Sequence, residues 1–167
     1  MTRRFLFHSI FAVILSAFFV QAETKLPSIL GSHMVLQQGE KCPIWGWDEA
    51  GTKVTVSFAG QTHATKADKD GRWQVSLTAM KANPKGAALT IKGSSTVKLE
   101  DVLVGEVWLC SGQSNMEWTV SRSANPKEEI ANGNHPLIRH IKIPHRPSAK
   151  PANNVPSKGW EPCTPQV

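Results

Sequence analysis

"TKVTVSFAGQTHATKADKDGRWQVSL", Thr52 to Leu77, decides the class of fold. Val54, Val56 and Phe58 share one face and Thr55 and Ser57 the other, the two-residue period of a half-buried strand. Trp73, Val75 and Leu77 repeat the pattern after "DKDG". Asp70-Gly71 between the two alternating regions signals a hairpin, because both residues tolerate positive φ in a tight turn. Asp68-x-Asp70-Gly71 also opens like a calcium loop, but the next acidic position and the closing glutamate are missing, so it reads as a turn.

Outward from there, "KANPKG" reads as a turn, and "AALTIKG" and "STVKLEDVLVGEVWL" supply further short strands. Their spacing of about 8–12 residues suggests an antiparallel sandwich. Beyond Trp118 the chain is rich in proline and loop formers. "HPLIRHIKIP" can form one strand there, with Leu137, Arg139, Ile141 and Ile143 on one face. The expectation is mainly β: a signal peptide over 1–22, a β-sandwich-like domain over 23–105, and over 106–167 the incomplete start of a second domain.

Composition is that of a globular chain, with 40% hydrophobic and 19% charged residues. The first 22 residues combine Arg3 and Arg4, an apolar run from Ile10 to Val20 and small-residue spacing at Val20-Gln21-Ala22. That is the pattern of a secretory signal peptide cleaved after Ala22. The apolar run is shorter than the ~20 residues of a spanning helix, so no stable membrane insertion is expected after cleavage. Export, to a periplasmic or extracellular location, follows. Losing Arg3 and Arg4 lowers the formal net charge from +6 to +4. The remaining basic residues are scattered and not interleaved with aromatics, so no nucleic-acid partner is expected. Cys42, Cys110 and Cys163 are an odd set without metal-ligand spacing, and no pair among them can be chosen from sequence.

The serines need separate weighing. Glu106 to Cys110 reads as a strand with Val107 to Leu109 buried, which leaves Ser111 to Asn115 at its carboxyl end, where α/β sheets gather ligands. Gly112 permits a sharp turn, and a backbone N–H beside a corner serine can serve an oxyanion. The residues alone leave two readings open, a polar turn or a nucleophile, and the elbow pattern G-x-S-x-G is absent.

"GEVWLCSGQSNMEW" is similar to the first motif block of the sialate O-acetylesterase family, a branch of the SGNH hydrolases. "HMVLQQGEKCPIWGWDEAGTKVTVSFAGQ" and "DKDGRWQVSL" resemble that family's preceding β domain, and "GWEPCTP" at Gly159 to Pro165 extends the likeness weakly. The resemblance implies an SGNH-type, flavodoxin-like hydrolase domain and a serine carbohydrate esterase. Its substrate would be O-acetylated sialic acid or another acetylated carbohydrate, with no metal or organic cofactor. It makes Ser114 the nucleophile, with its own N–H as an oxyanion donor and Gln113 and Asn115 shaping the corner. Ser111 gains no role.

The family's base, its acidic partner and its further oxyanion donors have no match here, so the chain by itself is expected to be an inactive fragment. His135, His140 and His145 read as solvent-exposed. Glu106 and Glu117 flank the motif without forming an assignable acid/base pair. Trp45, Trp47, Trp73 and Trp108 read as core indoles, Met34 and Met116 as gap fillers, and His33 and His63 as surface residues. The alternative is a secreted carbohydrate-binding or interaction β-module without catalysis.

Overall fold

The computed structural model describes residues 23–166, so the signal-peptide reading of 1–22 lies outside the described residues. Alternation produces the expected β architecture. β3 (Lys53–Phe58) buries Val54, Val56 and Phe58, and β5 (Arg72–Leu77) buries Trp73, Val75 and Leu77.

The pairing differs from the sequence expectation. β3 forms its hairpin with β4 (Gln61–Lys66), in full register from Lys53↔Lys66 to Phe58↔Gln61. Its two-residue loop has Ala59 at φ 47° and Gly60 at φ 79°. Positive φ at both central residues matches the right-handed twist of the flanking strands. The Asp68–Gly71 turn also forms, with the Asp70 and Arg72 amides each donating to Asp68 Oδ1 at 2.9 Å. It is not a hairpin: it carries the chain from β4 to β5, which lies in another sheet. There β5 pairs antiparallel with β2 (Cys42–Trp47).

The larger sheet has five strands in the order β1-β7-β6-β3-β4, with β1 (Val35–Gln37), β6 (Asn83–Lys92) and β7 (Thr96–Gly105). It is not wholly antiparallel, because β1 runs parallel to β7. The expected turn at "KANPKG" is instead the start of β6. Pro84 there cannot donate to a ladder, and register shifts interrupt the β6–β7 pairing between Asn83, Ala87 and Leu89. Opposite this irregularity Asp101 takes φ 54°, a left-handed conformation that Asp adopts more readily than most residues.

Both sheets contribute to one apolar cluster, including Ile44 and Leu77 from the β2–β5 ribbon and Val54, Leu89 and Ile91 from the five-stranded sheet. Complete burial of such side chains stabilises by roughly 1.5–3 kcal/mol each. Gly46 lets the N-terminal segment join this body: an added Cβ would sit 2.2 Å from the Lys25 carbonyl oxygen. That oxygen accepts from the Trp47 amide at 2.9 Å. Met34 fills the core as expected and Trp73 is buried, whereas Trp45 and Trp47 are only half-buried.

After β7 the character changes. The expected strand Glu106 to Cys110 is irregular and exposed, with Trp108 81% and Leu109 95% accessible. Apolar residues form a buried strand only where other elements cover them, and among the described residues little covers Trp108 and Leu109, while Val107 beside the sheet is 42% accessible. Trp108 and Met116 are therefore surface residues, contrary to the core and gap-filling roles their types suggest. Further on come a short α-helix, α1 (Pro126–Ala131), and a two-stranded ribbon of β8 (His135–Ile141) with β9 (Trp160–Cys163). Cys42, Cys110 and Cys163 are all free thiols.

Candidate functional site

Gly105 ends β7, and the chain leaves the sheet through contacts made by β1. Gln37 Oε1 accepts from the Val107 amide at 2.8 Å, while Glu106 accepts from the side-chain amides of Gln37 and Gln38. Those amides, Gln38 foremost, hold the Glu106 carboxyl below its usual range. Glu106 therefore anchors the exit from the sheet.

Ser114 opens a 3-10 turn spanning Ser114–Glu117, preceded by Gln113 in extended conformation. The turn closes with the Met116 amide donating to Gln113 O at 2.9 Å and the Trp118 amide to Asn115 O at 3.2 Å. At a helical start the first N–H groups lack intrahelical acceptors, and the amide of Ser114 is one of these. Gln113, Ser114 and Asn115 are therefore adjacent and solvent-exposed on one turn, and Ser111 is exposed just before it.

A serine hydroxyl needs a base to take its proton. Among the described residues no histidine hydrogen-bonds Ser114 Oγ. The imidazole placed beside this turn is His145, whose Nε2 lies 3.2 Å from Glu117 Oε1, with both side chains largely exposed. His140 faces Glu161 at 3.6 Å on the β8–β9 ribbon, and His135 pairs across from Cys163.

A polar cluster that sequence reading missed joins three distant segments. Asp101 Oδ2 accepts from Arg139 Nη1 at 2.6 Å and faces His33 Nδ1 at 2.8 Å. His33 is a surface residue as expected, but one held in this cluster. Arg139 Nε also donates to Pro136 O at 2.6 Å, and its side chain is only 6% exposed. Hydrogen bonds from Arg139 and then His33 hold the Asp101 carboxyl below its usual range. Gly86 leaves the space: a Cβ there would lie 2.0 Å from Asp101 Oδ1. The signal was Arg139 itself, a cation on the Leu137/Ile141 face of a strand.

No family model matches the chain. Rat sialate O-acetylesterase is 36% identical over 121 residues, covering 65% of this chain and 22% of the rat protein. The human sialate O-acetylesterase is 38% identical over 122 residues, covering 65% and 23%. The chain resembles the sialate O-acetylesterases. The crystal structure of a carbohydrate acetylesterase from Xanthomonas citri superposes with a TM-score of 0.82 at 34% identity, over 86% of this chain and 33% of that one. The chain thus spans about a fifth of the length of the sialate O-acetylesterases it matches.

Proposed function

We propose that this chain carries the nucleophile-bearing segment of a carbohydrate acetylesterase, with Ser114 as the nucleophile. The observation behind the reading is the 0.82 TM-score at 34% identity to a carbohydrate acetylesterase, together with the placement of Gln113-Ser114-Asn115 on an exposed turn. The chemistry is acyl transfer. Ser114 Oγ bonds to the acetyl carbonyl carbon, the sugar oxygen leaves with a proton, and water then releases acetate from the acylated serine. The backbone N–H of Ser114 donates to the developing oxyanion, and Gln113 and Asn115 shape the corner. O-acetylated sialic acid is the substrate suggested by the relatives' names, within the wider class of acetylated sugars. The composition of residues 1–22 supports export by a cleaved signal peptide.

The chain alone is expected to be nearly inert, because nothing among its described residues presents a base to Ser114. The experiment has two arms, both with an O-acetylated sialic acid and 4-nitrophenyl acetate as substrates. The chain alone should release acetate at close to the buffer rate. A chimera in which residues 23–166 replace the superposed portion of the Xanthomonas citri enzyme should hydrolyse the acetyl esters and lose that activity on Ser114→Ala. A folded chimera whose activity survives Ser114→Ala rejects the assignment. The non-catalytic module reading has its own support in the half-buried Trp45 and Trp47 on the β2–β5 ribbon.

A further inference from the structure

The β2–β5 ribbon buries Ile44, Val75 and Leu77 on one face and leaves a row of different chemistry on the other. There Trp45 stands opposite Gln74 and Trp47 opposite Arg72 in the antiparallel ladder. These four residues, with Lys66 of β4 and Asn153, border an open cleft of ≈ 510 Å³. No residue of the 104–118 stretch lines it.

Each component suits a sugar. Half-buried indoles present broad apolar plates, and a few placed polar groups beside them fix orientation. The two cations are uncommitted: neither Lys66 nor Arg72 forms an ion pair with a carboxylate among the described residues. Lys66 also faces Lys53 across the β3–β4 ladder, which raises the local positive potential. Asp68 also lines the cleft, and its carboxylate offsets one of these positive charges, leaving the balance of Lys66, Arg72 and Lys53 against Asp68 positive.

We propose that this cleft binds a carboxylate-bearing saccharide, with the pyranose against Trp47 and Trp45 and the carboxylate held by Arg72 and Lys66. The side-chain amides of Gln74 and Asn153 take the hydroxyl groups. Arg72 supplies a planar fork matched to a carboxylate, whereas Lys66 acts as a point charge. The inference goes beyond the esterase reading and does not depend on it, since binding here needs neither Ser114 nor an acetyl group.

The test is titration of the full chain with glucuronic acid and N-acetylneuraminic acid, followed by calorimetry and indole fluorescence, with glucose and sodium acetate as controls. Both acidic sugars should bind saturably in the millimolar range, roughly tenfold tighter than either control, as expected for one charge-assisted pair added to stacking. Arg72→Gln should remove most of that advantage, Arg72→Lys should restore part of it, and Lys150→Gln should change nothing. Trp47→Ala should abolish the fluorescence change; if circular dichroism shows it unfolded, Trp47→Phe and Arg72→Gln carry the test. Equal binding of glucose and glucuronic acid, acetate binding as tightly as the sugars, no saturable binding, or a folded Arg72→Gln variant that binds like the parent would each overturn the proposal.

Discussion

Arg139 donates to Asp101 at 2.6 Å, and this contact ties the β8–β9 ribbon to β7, 38 residues earlier in the chain. A second tie is the Trp160 indole N–H, which donates to Ile29 O at 2.8 Å. The guanidinium is the buried partner and the carboxylate the more exposed one, so loss of the carboxylate strands a shielded cation.

Replacing that carboxylate should therefore loosen the ribbon. Asp101→Asn keeps a side chain that tolerates left-handed φ but removes the charge. It should cost about 1 kcal/mol in denaturant unfolding, a value discounted for the exposure of Asp101. Proteolysis between residues 142 and 159 should accelerate. A double-mutant cycle with Arg139→Met should show coupling, and strict additivity would mean that the contact contributes nothing.

Acid should act through the same group. The folded-state pKa of Asp101 lies below the unfolded carboxylate value of about 3.9. Its contribution is therefore complete above that value and is lost as pH falls through the lower folded-state value. Asp48 behaves alike: burial raises its pKa, but hydrogen bonds from Ser94, Thr24 and the Glu49 amide outweigh this and leave it lowered. Melting temperature should be flat from about pH 5 to 7 and fall below pH 4. Asp101→Asn should shallow that fall, and an unchanged slope would assign it elsewhere.

Two large-to-small substitutions should separate core from surface. Ile44 is fully buried, so Ile44→Ala should cost about 2–5 kcal/mol. Leu109 is almost fully exposed, so Leu109→Ala should stay within about 0.5 kcal/mol of the parent. Equal losses in guanidinium unfolding would place Leu109 in a core.

Gly46→Ala should break the junction between the N-terminal segment and β2. Its Cβ meets both the Lys25 carbonyl and the Trp73 ring, so the backbone has to shift, at a cost of roughly 1–3 kcal/mol. Amide hydrogen exchange at Trp47 should rise, and slow exchange in the variant would contradict the close approach.

Alternation in Val54-Thr55-Val56-Ser57-Phe58 and in Trp73 to Leu77 made strands and their inward faces legible, because a period of two is a local property of extended chain. The serine motif was legible as a motif. Which strands pair was not: β5 shows the same alternation whether its neighbour is β4 or β2. Nor was the fate of Val107 to Leu109, since an apolar run specifies a need for cover without supplying it.

By itself, the sequence determined a mainly β chain with Ser114 at the heart of an acetylesterase-like motif. Tertiary structure alone decided that β5 leaves β4 for β2, that Asp101, His33 and Arg139 meet, and that Trp47 and Arg72 share one outer face. The physical reason is the same in each case. Side-chain direction follows from the residue's own backbone, whereas pairing, charge contacts and clefts depend on segments brought together only when the whole core closes.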